Sequence, residues 1–102
     1  MIRHTVLMRL TDGVSEEQRA AIAQALNELP RAIPEIRSLS FGFDAGLVDG
    51  NADLVVEVDF DAEQGYLVYA NHPAHLAMIA KLIRPFLAER MAIQRRLPGD
   101  SQ

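Results

Sequence analysis

Two histidines, a tyrosine and a proline stand close together in residues 69–75, Tyr-Ala-Asn-His-Pro-Ala-His. Imidazole titrates near neutral pH, so His75 could remove a proton from a carbon beside a carbonyl group. The hydroxyl of Tyr69 could donate a hydrogen bond to the oxygen on which negative charge then develops. These residue types are therefore compatible with general-base chemistry on a small carbonyl compound, which needs neither a metal nor an organic cofactor.

The proline in this segment determines which elements carry these side chains. A residue before proline is pushed out of the helical region of backbone space, so we expect the chain to break at His72. Pro73 suits the first turn of a new helix, where its missing N–H is not needed. Tyr69 should therefore lie at the end of one short helix and His75 in the first turn of the next, and His72 between them should cap the new helix or pair with a neighbouring group.

Composition limits the classes of protein that are compatible with this chain. Its 102 residues suffice for one domain, which we place at residues 1–97, with a C-terminal tail at 98–102. The net charge of −4 and the scattered cations argue against nucleic acid and anionic membranes as partners. The chain has no cysteine, which excludes a disulfide and a thiolate nucleophile. Without the apolar run of a signal peptide or a membrane span, we expect a cytoplasmic protein.

The apolar pattern predicts four strands and two helices. Alternation predicts strands at residues 2–10, 36–45, 53–60 and 89–97. Helical spacing predicts one helix at residues 16–29 and a second in two parts, at 61–71 and 73–88. Ser15 and Gln18 have the spacing of a capping box, and Pro30 should end the first helix. Asp61 should cap the second helix, and Pro85 should kink it or make its end fray early.

This β-α-β-β-α-β order is typical of a ferredoxin-like α+β fold, in which a four-stranded antiparallel sheet carries both helices on one face. His4 lies on the apolar, helix-facing side of the first strand, where a lone histidine is more often a hydrogen-bonded core residue than a catalyst. We assign five apolar residues to the opposite side of the sheet: Leu7, Leu39, Phe41, Phe43 and Val55. That side is too apolar to face water, so we expect a homodimer in which two sheets close a barrel.

Several short motifs occur in an order that resembles the stress-responsive A/B-barrel family over about residues 2–97. They are the histidine at position four, Glu-Glu-Gln early in the first helix, Leu29-Pro30, Ile33-Pro34-Glu35-Ile36, the third-strand residues 55–60 and the string at 69–75. The resemblance implies a dimeric α+β barrel. The family is functionally mixed, with plant stress proteins and many bacterial members of unassigned role.

The Tyr-x-x-His-Pro-Ala-His string is also similar to that of the plant polyketide cyclase that makes olivetolic acid by intramolecular aldol condensation. That resemblance implies that His75 is the general base, that Tyr69 binds and polarises the substrate, and that His4 lines the site. The candidate pocket residues are Val6, Met8, Ile22, Leu26, Val56, Val58, His72 and Phe86. Ile22, Ala23 and Leu26 stand where the plant enzyme has bulky aromatics, so the cavity should differ in shape and the substrate does not transfer.

Two functions remain open at this point. In the first, the chain binds a small apolar or carbonyl-containing molecule and acts as a cofactor-independent cyclase or lyase. In the second, it is a non-catalytic, stress-associated structural or ligand-binding dimer, in which Tyr69 and His75 merely close the break between two helices. A metal held by His72 and His75 is disfavoured because Pro73 disturbs their spacing and no carboxylate flanks them. We predict no metal and no cofactor.

Overall fold

The computed structural model describes residues 1–98 and confirms the predicted ferredoxin-like architecture. Four strands, β1 (Ile2–Leu10), β2 (Ser38–Phe43), β3 (Leu54–Phe60) and β4 (Leu87–Arg96), form one antiparallel sheet in the order β2-β3-β1-β4. The helices are α1 (Glu16–Ala32), α2 (Glu63–Asn71) and α3 (Pro73–Met78). Of the tail predicted at 98–102, residues 99–102 lie outside the described residues.

The core lies between the helices and one face of the sheet. Alternate residues of β1 and β3 are buried on that face: Ile2, His4, Val6, Met8 and Leu10, then Leu54, Val56, Val58 and Phe60. Helix α1 packs three buried residues against them: Ile22, Leu26 and Leu29. Each aliphatic side chain that is fully buried contributes about 1.5–3 kcal/mol, so this layer is the main source of stability.

The start of α1 is determined locally, as predicted. The Ser15 hydroxyl oxygen accepts a hydrogen bond from the Gln18 N–H at 3.1 Å, and the Gln18 side chain accepts one from the Ser15 N–H at 2.8 Å. This reciprocal pair satisfies two donors that a helix N-terminus leaves without partners.

The end of α1 corrects the prediction, because the helix continues past Pro30 to Ala32. A proline in the last turn removes only one hydrogen bond, and the following donors keep theirs. The Ile33 N–H still donates to the Leu29 carbonyl at 3.0 Å. A proline this close to the end of a helix therefore does not stop it.

The start of α2 also differs from the prediction. Ala62, not Asp61, is the N-cap residue, and no side chain caps the helix. The carboxylate of Asp61 instead accepts a hydrogen bond from the Arg37 guanidinium at 2.7 Å. The Asp61 carboxylate therefore forms an ion pair with a residue from a distant part of the chain, and it does not cap α2 as the local pattern predicted.

The second helical segment ends at Phe86, two residues before the predicted boundary. After α3 the chain passes through a wider π-helical turn, Ile79–Ile83, and a tighter 3₁₀ turn, Arg84–Phe86, before β4 begins at Leu87. Pro85 has no N–H to donate to the preceding turn, which accounts for the predicted irregularity.

The pairing of β2 with β3 corrects the predicted distribution of apolar residues between the two faces. Three β2 residues lie directly opposite buried β3 residues and pack against the core: Leu39, Phe41 and Phe43. Opposite residues of an antiparallel pair share a face, so these three lie on the helix-facing side. The side of the sheet away from the helices, here called the open face, carries only Leu7 and Val55 of the five predicted residues. Met91 and Ile93 of β4 lie on the same face beside them.

None of the helices within residues 1–98 combines the length and the hydropathy that a membrane span requires.

Candidate functional site

A cavity of about 340 Å³ lies between the sheet and the helical segments, a size typical of small-ligand pockets. All three residues predicted to carry chemistry line it: His4 from β1, Tyr69 from α2 and His75 from α3. Four of the predicted wall residues also line it: Val6, Met8, Leu26 and Val56. The tertiary structure thus brings together, at one surface, side chains that are up to 71 positions apart in the sequence.

Four other predicted pocket residues do not line this cavity. Ile22 and Val58 are completely buried in the core, where apolar neighbours surround them. The Nδ1 atom of His72 accepts a hydrogen bond from the Ala74 N–H at 3.1 Å, so His72 is the N-cap of α3. Phe86 is half-buried in the 3₁₀ turn. Periodicity identifies the face on which these residues lie, but it does not show where along that face a space remains.

The ring of His75 is held at its Nδ1 atom. Nδ1 lies 3.4 Å from the Ala70 carbonyl oxygen, which can only accept, so Nδ1 carries the proton of the neutral ring. The lone pair of His75 is therefore on Nε2, which makes no hydrogen bond within residues 1–98. Burial lowers the pKa of His75 against the effect of the Ala70 hydrogen bond, and the charge of Arg90 lowers it further. His75 is thus held in the form that accepts a proton near neutral pH.

Tyr69 presents a free hydroxyl beside that base. Its ring lies 4.2 Å from the ring of His75, centroid to centroid, and only 4% of the residue is exposed. The Tyr69 hydroxyl makes no hydrogen bond within the described residues. In those residues, every side-chain nitrogen or oxygen atom that is fully buried has a hydrogen-bond partner. The hydroxyl oxygen is therefore not fully buried, and Tyr69 lines the cavity. Burial raises the pKa of Tyr69 to about 12, so it remains a hydrogen-bond donor at neutral pH.

His4 forms a neutral part of the cavity wall. Its Nδ1 atom lies 2.7 Å from the amide nitrogen of Gln94, which can only donate, so neutral His4 carries its proton on Nε2. Burial lowers the pKa of His4 to about 4, and the charges of Arg90 and His75 act in the same direction. At neutral pH His4 is therefore an uncharged group with an N–H to donate.

Three polar lining residues were missed by the sequence analysis: Tyr66, Arg84 and Arg90. The Tyr66 ring lies 5.1 Å from that of His4 and 6.5 Å from that of Tyr69. Its position three residues before Tyr69 places both tyrosines on one helix face, a signal that could have identified it. The two arginines carry no comparable local signal.

Within residues 1–98, no three histidine, cysteine or acidic side chains cluster in a way that could hold a metal ion.

The fold and the site define a ferredoxin-like α+β domain with a cavity lined by histidine and tyrosine between its sheet and helices. Comparison with known proteins gives the family. The chain belongs to the stress responsive A/B barrel domain family, whose model matches residues 2–96. No curated protein matches the chain at a significant level.

Solved structures show the same architecture. A dimeric ferredoxin-like protein of unknown function from Thermobifida fusca is 45% identical, with a TM-score of 0.85 over 94% of this chain and 90% of that one. A dimeric protein of unknown function from Bacteroides fragilis is 24% identical, with a TM-score of 0.80 over 94% and 95% of the two chains. The hydroxynitrile lyase of Passiflora edulis is 20% identical, with a TM-score of 0.82 over 96% and 94%. The last two likenesses concern the fold alone.

Proposed function

We propose that this chain binds a small carbonyl-containing, largely apolar molecule in its cavity and acts on it as a cofactor-independent lyase or cyclase. The observation that carries the proposal is the juxtaposition of a base and a hydrogen-bond donor at the cavity wall. His75 has its Nε2 lone pair free, and Tyr69, 4.2 Å away between ring centroids, has a free hydroxyl. The likeness to a lyase at 20% identity is not part of the argument.

The proposed reaction begins when Nε2 of His75 removes a proton from a carbon next to the substrate carbonyl. The electron pair of the broken C–H bond forms an enolate, and the hydroxyl of Tyr69 donates a hydrogen bond to its oxygen. In a cyclase, the enolate carbon then attacks a second carbonyl carbon of the same molecule, forming a C–C bond. The imidazolium of His75 returns its proton to the resulting alkoxide. A lyase would run the corresponding steps in reverse, breaking the C–C bond.

His4 has a different role in this proposal. Its pKa of about 4 makes it a weak base near neutral pH, so we assign it to substrate contact and not to proton transfer. The Nε2–H of neutral His4 can donate to a substrate oxygen at the β1 side of the cavity. The hydrogen bond from Gln94 holds its ring in that tautomer.

A second candidate function is ligand binding without catalysis. The wall of the cavity is mainly apolar, with Val6, Met8, Leu26 and Val56 among its residues, and such a wall binds a ligand by excluding water whether or not a reaction follows. Under this alternative, Tyr69 and His75 contact the ligand but do not change it.

We also propose that the chain forms a homodimer through the open face of the sheet. Leu7, Met91 and Ile93 are 43%, 74% and 60% exposed there, beside Val55, and an apolar patch of this kind marks a protein interface. The structure from Thermobifida fusca, at 45% identity, is described as dimeric.

A cytoplasmic location is a proposal from the sequence alone, which cell fractionation would test.

The test of catalysis is a screen of β-keto acids and β-keto thioesters, with products followed by liquid chromatography and mass spectrometry. Wild-type protein should convert at least one substrate. His75→Gln should lower kcat by roughly 100- to 10,000-fold, the usual contribution of a general base. Tyr69→Phe should lower kcat with a smaller effect on KM. Lys81→Gln is the control, because Lys81 is exposed on the same helical segment and does not line the cavity.

Two results would overturn catalysis. Full activity in His75→Gln would show that the base lies elsewhere. Binding of the compounds, seen as a shift in Tm, without turnover by wild-type protein would leave ligand binding as the function.

A further inference from the structure

Two arginines of the cavity lining have no partner for their charge among residues 1–98. The guanidinium groups of Arg84 and Arg90 form no ion pair and no hydrogen bond within residues 1–98. Four other arginines of the chain do pair with carboxylates: Arg3, Arg9, Arg37 and Arg96. Both cavity arginines are exposed residues, so their charges lie where the cavity meets solvent.

The positions of both arginines follow from the fold. Arg90 lies directly opposite Met8 in the pairing of β4 with β1, and Met8 is buried on the helix-facing side. Opposite residues share a face, so Arg90 projects toward the cavity although it belongs to an exposed edge strand. Arg84 begins the 3₁₀ turn that contains Pro85, on the helical side of the same cavity.

The charge of Arg90 acts on the groups inside the cavity. Burial has the largest effect on the pKa of each of them, but Arg90 also lowers the pKa of three: His4, Tyr69 and His75. Arg90 lines the same cavity as these three groups, so one small molecule bound there can contact both Arg90 and the proposed reaction centre. Among the described residues 1–98, no aspartate or glutamate lines the cavity to neutralise either arginine.

We propose that Arg84 and Arg90 form an anion-binding subsite at the mouth of the cavity, and that the ligand is a small apolar carbonyl compound that ends in a carboxylate. The inference rests on the proposed function, because it specifies the ligand of the same cavity. A guanidinium binds a carboxylate through two parallel N–H···O bonds, which fixes the orientation of the ligand as well as its charge. With the carboxylate at the mouth, the apolar part of the ligand reaches inward to Tyr69 and His75.

The experiment uses two unreactive probes of nearly equal shape, 4-phenylbutanoate and 4-phenylbutanamide, and measures Kd by isothermal titration calorimetry. Wild-type protein should bind the acid roughly 10- to 100-fold more tightly than the amide, the range expected of hydrogen bonds to a charged group. Arg84→Gln and Arg90→Gln should each lose most of that preference, because the affinity for the acid should fall much more than the affinity for the amide. High salt should weaken the binding of the acid and not the binding of the amide.

Arg95→Gln is the matched control for these two variants. Arg95 lies on β4 opposite Arg3, on the open face of the sheet, and does not line the cavity, so its removal should leave the preference intact. Both cavity arginines are exposed, and substitutions at such positions change stability little, so the variants should fold.

The outcomes separate this subsite from the proposed function. Equal affinity of wild-type protein for the acid and the amide would overturn the subsite and leave ligand binding in the cavity standing. The same loss of preference in Arg95→Gln would also overturn it, since the effect would then come from overall charge. Phenyl phosphate is measured as a third probe in the same way, and tighter binding of phenyl phosphate than of the acid would overturn the carboxylate assignment. Failure of every probe to bind would overturn the cavity as a ligand site, and the subsite with it.

Discussion

Acidification should destabilise this protein through His4, and His4→Gln should remove that part of its pH dependence. His4 is only 3% exposed, and burial lowers its pKa from 6.5 to about 4. In the unfolded chain this histidine takes up a proton as the pH falls through 6.5, whereas in the folded protein it does so only near pH 4. The unfolded state therefore binds more protons throughout this window, and the free energy of unfolding falls as the pH is lowered.

The magnitude follows from the two pKa values. They differ by about 2.5, and each tenfold change in proton affinity corresponds to about 1.4 kcal/mol, so the loss approaches about 3 kcal/mol by pH 4. A typical domain is stable by only about 5–15 kcal/mol, so this loss is easily measured. His75 should also destabilise the protein as the pH falls, because burial lowers its pKa too. Comparison of wild-type protein with His4→Gln isolates the part of the stability loss that is due to His4. The hydrogen bond from Arg3 lowers the pKa of Asp59 below 3.8. The stability that the Asp59 carboxylate contributes is therefore lost only at pH values below the range from 7 to 4.

The assay is urea denaturation of wild-type protein and His4→Gln at half-unit steps from pH 7 to pH 4. Glutamine keeps a polar group beside Gln94 but does not titrate. The two curves of unfolding free energy against pH should diverge below about pH 6.5, with wild type falling more steeply, and an NMR titration of the His4 ring should give a pKa near 4. Parallel curves, or a His4 pKa near 6.5, would refute the argument that burial holds this histidine neutral.

Two further predictions concern the helix cap and the open face. Ser15→Ala should lower the free energy of unfolding by about 1 kcal/mol because the Gln18 N–H loses its acceptor. Ser40→Ala, at an exposed residue of β2, should change the free energy of unfolding little. Equal effects of the two substitutions in denaturant titrations would argue against the cap. Met91→Glu should convert a wild-type dimer to a monomer in light scattering after size exclusion, because it places a charge in the proposed interface. Leu47→Glu, at an 86% exposed residue away from the sheet, should stay dimeric, and a dimeric Met91→Glu would contradict the assignment of this face.

Local rules were sufficient for the order of elements and for the centre of the candidate site. The alternation of β1 placed His4 on the buried face, and the capping pair of Ser15 and Gln18 started α1 where the structure has it. The break at His72 and Pro73 separated the helices that carry Tyr69 and His75, and His72 caps the second of them. Each of these features depends on residues within one or two turns of each other, so the sequence by itself determined them.

The tertiary structure decided which face, which partner and which surroundings each residue has. Alternation groups Leu39, Phe41 and Phe43 on one side of β2, but only the register with β3 shows that this side faces the helices. Gln94 contacts His4 from 90 positions away, and Arg90 reaches the cavity because β4 pairs with β1. Side-chain period defines two faces without saying which is buried, and contacts between distant segments have no local signal. The electrostatic surroundings of the candidate base were therefore determined by strand pairing, and not by the string of residues that contains it.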